Sequence, residues 1–150
     1  MRDTYSKLNY HLVFSTKNRV PLITDALRDP LYGYIGGILR GTGGVLLNAG
    51  GMPDHIHLLA GWGTSTSVAK MLQLIKANSS KWVNERQGAS GDFAWQPGYG
   101  AFTVSASKIP EVREYILNQE AHHRKMSFQE ELKELLKRHG VEYEEDDFED

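Results

Sequence analysis

The 150 residues carry 17 Lys and Arg against 19 Asp and Glu, no cysteine and 40% apolar residues, which fits one compact domain with a real core and excludes two large ones. Without cysteine neither a disulfide framework nor a zinc ribbon can form, so any metal site must draw on His, carboxylate or amide ligands. No apolar run approaches the ~20 residues of a membrane span, and residues 1–12 lack a hydrophobic signal core, so no membrane association and a cytoplasmic location are expected.

The net charge of −2 is unevenly divided: Glu142, Glu144, Glu145, Asp146, Asp147, Glu149 and Asp150 place seven acids in the last nine residues. Residues 1–141 then hold 17 bases against the remaining 12 acids, a body of +5 that would attract a polyanion. The expected organisation is one domain over residues 1–141 and a disordered acidic tail over residues 142–150.

In chain order, Leu8 to Phe14 alternates as a strand, with Leu8, Tyr10, Leu12 and Phe14 on one side and Asn9, His11 and Val13 on the other. A basic turn follows, and Thr24-Asp25 caps a helix to about Arg40 whose apolar stripe is Leu27, Leu31, Tyr34, Ile35 and Ile38. Val45 to Asn48 and His55 to Trp62 read as strands joined by the turn formers 49–54. Thr64, Ser65 and Thr66 offer caps for a helix to about Arg86, with Lys70 and Lys81 turned away from its apolar side. Residues 87–98 read as a loop, Ala101 to Ser105 as a short strand, Ser107 to about His123 as a helix, and Ser127 with Glu130 as the capping box of a last helix to about Arg138, ended by Gly140. The order β-α-β-β-α-β implies an α+β fold, a ferredoxin-like or RRM-like sandwich with an antiparallel sheet and added C-terminal helices. Two crossover helices would cover one sheet face and leave the other open to a ligand.

Two constellations carry chemistry. In Asp54-His55-Ile56-His57-Leu58-Leu59 the strand period sends Ile56 and Leu58 to the helices and sets His55 and His57 side by side on the other face, able to share a cation or to form a hydrogen-bonded structural pair. In Tyr115-Ile116-Leu117-Asn118-Gln119 a phenol and an amide stand one helical turn apart, either as a packed helix edge or as a nucleophile beside a metal-polarised phosphate.

Taken together with Tyr10-His11-Leu12-Val13-Phe14-Ser15-Thr16-Lys17, Pro53-Asp54, Trp95-Gln96 and Gly98-Tyr99-Gly100, these segments resemble the single-tyrosine HUH transposases that move insertion sequences as single-stranded DNA, and the related REP-associated tyrosine transposases. The resemblance implies Tyr115 as the attacking residue, His55, His57 and Gln119 as ligands of a divalent cation, Mg²⁺ or Mn²⁺, and a 5′-phosphotyrosine intermediate in cleavage and rejoining of single-stranded DNA with hairpin ends. It also implies a homodimer whose sites are completed in trans. Lys17, Arg19, Lys70, Lys76 and Lys81 are candidates for phosphate contact, and Tyr99, Phe102 or Trp95 for stacking on bases. His122 and His123 lie one turn past Gln119 and are left outside the ligand set. Two other functions stay open: a non-catalytic RRM-like nucleic-acid binder, and a metal-dependent phosphodiesterase that uses water.

Overall fold

Alternation and turn chemistry build four strands, β1 (Asn9–Ser15), β2 (Val45–Met52), β3 (His55–Gly61) and β4 (Gly100–Thr103), into one antiparallel sheet of order β2-β3-β1-β4. The structure, a computed structural model, describes residues 1–86 and 92–148. Helices α1 (Asp25–Gly41) and α2 (Val68–Arg86) lie on one face, where Leu12, Phe14, Ile56 and Leu58 meet Leu27, Leu31, Ile35, Met71, Leu72 and Ile75 in the main core. The α+β sandwich is therefore as expected, and the odd-numbered residues His11, Val13, His55 and His57 share the opposite face.

That face is not open. The C-terminal helices α3 (Ile109–Leu117), α4 (Gln119–His122) and α5 (Phe128–Arg138) roof it with two smaller apolar clusters, Val13, Phe102, Phe128 and Leu135 in one and Leu59, Val104 and Ile116 in the other. The reason is volume and periodicity: α5 presents Phe128 and Leu135 on one stripe, and burying that stripe requires an apolar partner that only the free sheet face supplies.

Several boundaries differ from expectation. Strand β2 runs on through Gly50, Gly51 and Met52, so the hairpin closes over Pro53-Asp54 alone. Ser67 rather than residues 64–66 caps α2, its hydroxyl accepting the Lys70 amide at 3.1 Å. The single helix expected over 107–123 is a 3₁₀ turn, α3 and α4, broken at Asn118 (φ −95°, ψ 23°). Helix α5 is capped by Ser127 as anticipated and ends at Arg138, with Gly140 two residues on at a φ of +68°, a conformation that favours glycine. Residues 87–91 of the expected loop lie outside the described residues; beyond them Phe93 and Trp95 are core, with Trp95 Nε1 donating to Ser79 Oγ at 2.9 Å.

Through Phe148 the acidic tail lies along α5. Lys133 pairs with Glu145 at 2.7 Å, Gln129 donates to the Phe148 carbonyl, and the Tyr143 and Phe148 rings meet edge to face. Two aromatics and one cation compensate the like charges there; residues 149 and 150 lie outside the described residues. Among the described residues no helix is long and apolar enough to cross a membrane.

Candidate functional site

The site is assembled between the middle of the sheet and its C-terminal roof. His55 opens β3 and His57 follows two residues later, so both rings project from the roofed face and both are fully buried, their centroids 5.2 Å apart. From the roof come Tyr115 of α3, Gln119 of α4, His123, and Glu131 of α5. Glu131 is 1% exposed and is the centre of the arrangement. Its Oε2 accepts from the Tyr115 hydroxyl at 2.5 Å and from Gln119 Nε2 at 2.9 Å. Its Oε1 lies 3.0 Å from His57 Nε2, 3.1 Å from His123 Nε2 and 3.5 Å from His55 Nε2. Gln119 Oε1 sits 2.9 Å from His55 Nε2 and 3.1 Å from His123 Nε2.

The helix break at Asn118 does not separate Tyr115 from Gln119, because both reach the same carboxylate oxygen. The structure thus brings together all four site residues expected from the sequence and adds two. Glu131 went unread because it stands inside an amphipathic helix rich in acids. The signal was its phase: Phe128, Glu131 and Leu135 share spacings of three and four, which puts a carboxylate on the apolar stripe of α5. His123 joins the cluster through α4.

The polar atoms do not balance as neutral hydrogen bonds. His55 Nδ1 lies 2.7 Å from Asp54 Oδ1 and His123 Nδ1 lies 2.9 Å from the Met126 carbonyl, so each ring spends a proton on that acceptor. Their Nε2 lone pairs then face Gln119 Oε1 and Glu131 Oε1, which are acceptors too. A buried knot of acceptors needs protons or a cation between them. His55, His57 and Glu131 offer ligand atoms within 4.8 Å of one another, and Gln119 Oε1 and His123 Nε2 touch the same group. The donor set fits a divalent cation.

Electrostatics reinforce this. Burial drives the His57 imidazole to the neutral form a ligand needs, against the pull of Glu131. Burial alone would raise Glu131, but the adjoining His57 ring and hydrogen bonds from Tyr115 and Gln119 hold its carboxyl well below the usual range. Asp54 is likewise raised by burial and lowered further by the His55 N–H, ending below normal. The Tyr115 phenol is pushed well above its ordinary value by burial and by its bond to Glu131, so it rests protonated.

The candidate DNA contacts fare differently. Lys17 and Arg19 lie on a 3₁₀ turn after β1, and Arg19 borders the cavity also lined by Asp54, His123 and Phe128 at the mouth of the site. Lys70 and Lys81 are exposed on α2, on the opposite side of the sheet from His55 and His57, because α2 packs on the other core. Lys76 is committed to the chain itself: its Nζ donates to the Gln96 carbonyl at 2.9 Å and to the Gly98 carbonyl, and burial lowers its pKa to about 8. Phe102 and Trp95 are core residues, whereas Tyr99 is 44% exposed.

Residues 4–119 match the model of the family described as "Transposase IS200 like". The chain belongs to that family. This IS200-like transposase is 25% identical over 118 residues to the ISDra2 transposase TnpA of Deinococcus radiodurans, covering 75% of this chain and 84% of the relative. It resembles the crystal structure of a candidate transposase from Deinococcus radiodurans R1, with a TM-score of 0.62 and 28% identity over 79% of this chain and 95% of the other. The fold also matches a REP-associated tyrosine transposase solved with a REP hairpin, at a TM-score of 0.60 and 16% identity over 82% of this chain and 73% of that one. An IS200-like transposase is an enzyme, and the HUH reading of His55-Ile56-His57 agrees with the family.

Proposed function

We propose that this transposase cleaves and rejoins single-stranded DNA with hairpin ends through a 5′-phosphotyrosine at Tyr115, supporting movement of an insertion sequence, with residues 1–141 as the working unit. The observation that carries this reading is the convergence of the Tyr115 hydroxyl with the His55, His57, Gln119 and Glu131 cluster in one buried centre. The cluster would hold a divalent cation, which when bound supplies Lewis acidity at the scissile phosphate. Its imidazoles favour Mn²⁺ over the harder Mg²⁺.

The chain's own residues then divide the remaining work. The α3 helix holds Tyr115 beside the His57 ring, with centroids 5.8 Å apart, and the bond to Glu131 fixes the direction of the hydroxyl. As the phenolic oxygen bonds to phosphorus its proton becomes acidic, and Glu131 Oε2 is the acceptor in place. The 3′ oxygen leaves with the bonding pair and takes a proton from solvent. The phosphotyrosine retains the ester's reactivity, so a 3′ hydroxyl can reverse the attack and join strands. Arg19 at the rim and Lys17 on the same turn are the phosphate contacts this reading favours; Lys70, Lys76 and Lys81 are not needed for it.

The resemblance implies a homodimer completed in trans. Tyr115 already meets Glu131 and His57 of its own chain, which supports a site completed in cis. The test of the chemistry is labelled single-stranded hairpin DNA incubated with Mn²⁺: a denaturation-resistant adduct on the 5′ phosphate should form with the wild type, and none with Tyr115→Phe or in excess EDTA. Cutting without an adduct would favour a water-using phosphodiesterase, and binding without cutting an RRM-like binder.

A further inference from the structure

His57 can serve as a metal ligand only if its Nε2 offers a lone pair, and a neutral imidazole then carries its proton on Nδ1. That proton needs an acceptor inside a fully buried ring environment. His57 Nδ1 lies 2.8 Å from Nε2 of His11, on the neighbouring strand β1. His11 is 4% exposed, its ring stacks on that of His57 with centroids 5.0 Å apart, and Phe102 and Tyr115 close around it at 6.1 and 5.9 Å. The ring has no room to turn away. On the other ligand ring, Asp54 takes the same place at 2.7 Å from His55 Nδ1. Each histidine of the pair therefore has one partner on its far nitrogen, a carboxylate for His55 and an imidazole for His57.

We propose that His11 is the positioning residue of the metal centre: it accepts the Nδ1 proton of His57 and so aims the Nε2 lone pair at the cation. This rests on the reading that the cluster binds a divalent metal. It explains why a histidine stands in a strand position whose neighbours on that face, Val13 and Phe102, are apolar. Outer partners of this kind typically change metal affinity by 10–100-fold when removed, without being ligands themselves.

The decisive measurement is Mn²⁺ binding to the DNA-free full chain, followed by loss of the free-ion signal in electron paramagnetic resonance. His11→Leu keeps bulk and removes the acceptor, and should weaken binding about 10–100-fold. His11→Gln, whose amide oxygen can reach the same proton, should restore affinity to within about threefold, a recovery that a merely space-filling role would not show. The reading of the metal site itself fails if the wild type binds no Mn²⁺ or if His57→Ala binds as well as wild type. If those controls behave and His11→Leu binds like wild type, the role of His11 is overturned while the metal site stands. Should His11→Leu unfold, nitrogen-15 shifts of the His11 ring in wild-type protein saturated with Mg²⁺ decide: a bare, hydrogen-bond-accepting His11 Nε2 supports the proposal, and a protonated His11 Nε2 ends it.

Discussion

Glu131 accepts from the Tyr115 hydroxyl and the Gln119 amide and lies 3.0 Å from the His57 ring. Removing its carboxylate strands these donors, each stranded group costing ~1–3 kcal/mol, so Glu131→Ala should lower stability by about 2–4 kcal/mol in urea denaturation. Glu131→Gln keeps the shape and one acceptor oxygen and should recover most of that stability, yet lose adduct formation by about tenfold or more because a charged donor to the cation is gone. Full adduct formation by Glu131→Gln would mean that Glu131 only packs. His11 gives a second, pH-dependent readout. Burial, then the neighbouring His57 and to a smaller extent His139, lower its pKa to about 3 against the opposing pull of Glu131. The folded protein therefore stays neutral at His11 while the unfolded chain takes up a proton below its ordinary value near ~6.5. Stability from this group is complete above that value and falls as pH drops toward about 3, by up to ~1.4 kcal/mol per unit. Asp54 and Glu131, both held below the carboxylate range, act in the same direction at lower pH. Urea midpoints between pH 7 and 5 in EDTA should decline, with a shallower slope in His11→Gln; parallel slopes would mean that His11 titrates alike in the folded and unfolded chains.

The elements that deliver these side chains meet at close quarters. Gly50 of β2 pairs directly with His57, and a Cβ at residue 50 would overlap the Ile116 carbonyl oxygen and stand 2.9 Å from Ile116 Cγ2. The bare backbone lets α3 settle on the sheet next to the residue that bears the nucleophile. Gly50→Ala must push that helix outward, at a cost of about 1–3 kcal/mol, and should reduce adduct formation far more than it reduces Mn²⁺ binding, since His55, His57 and Glu131 lie off α3. A parallel fall in both would place the damage elsewhere. This close approach also shows what the sequence can and cannot reveal. Strand alternation made the shared face of His55 and His57 legible, and the helical turn between Tyr115 and Gln119 survived even a break at Asn118. The roof was not legible, because an amphipathic α5 states that it needs a partner without naming the sheet face it will cover. Glu131 was hidden for the same reason: its neighbours in space, 12 and 74 positions away at Gln119 and His57, are set by tertiary packing rather than by spacing along the chain. Lys76 misled in the opposite direction, as a lysine on a half-exposed helix face that the 96–98 segment folds over and captures.

At the scale of the whole molecule, charge and architecture bear on one question, whether a single chain suffices. The basic body attracts DNA without specifying a face, and Lys70 and Lys81 lie across the sheet from the chemistry. Arg19, on the turn that follows β1 in the same chain that carries Tyr115, borders the cavity at the mouth of the site. Helix α3 is anchored on its own sheet through Gly50, and Tyr115 is tied to Glu131, which also approaches His57. An exchange of α3 between two copies would break all of these contacts and remake them on the partner, so the proposed site in cis and the alternative in trans differ in which chain supplies Tyr115. Complementation can test it. Tyr115→Phe and His57→Ala, each inactive alone, are co-expressed with different tags, and the species bearing both tags is isolated and given labelled hairpin DNA. Completion in cis leaves every site with one defect and gives no adduct, as does the absence of any doubly tagged species. Completion in trans pairs the intact tyrosine of one copy with the intact histidines of the other, so about half of the sites in a closed two-fold dimer would be whole. An adduct at that level, carried by the tagged His57→Ala chain, would overturn the cis arrangement while leaving the tyrosine chemistry in place.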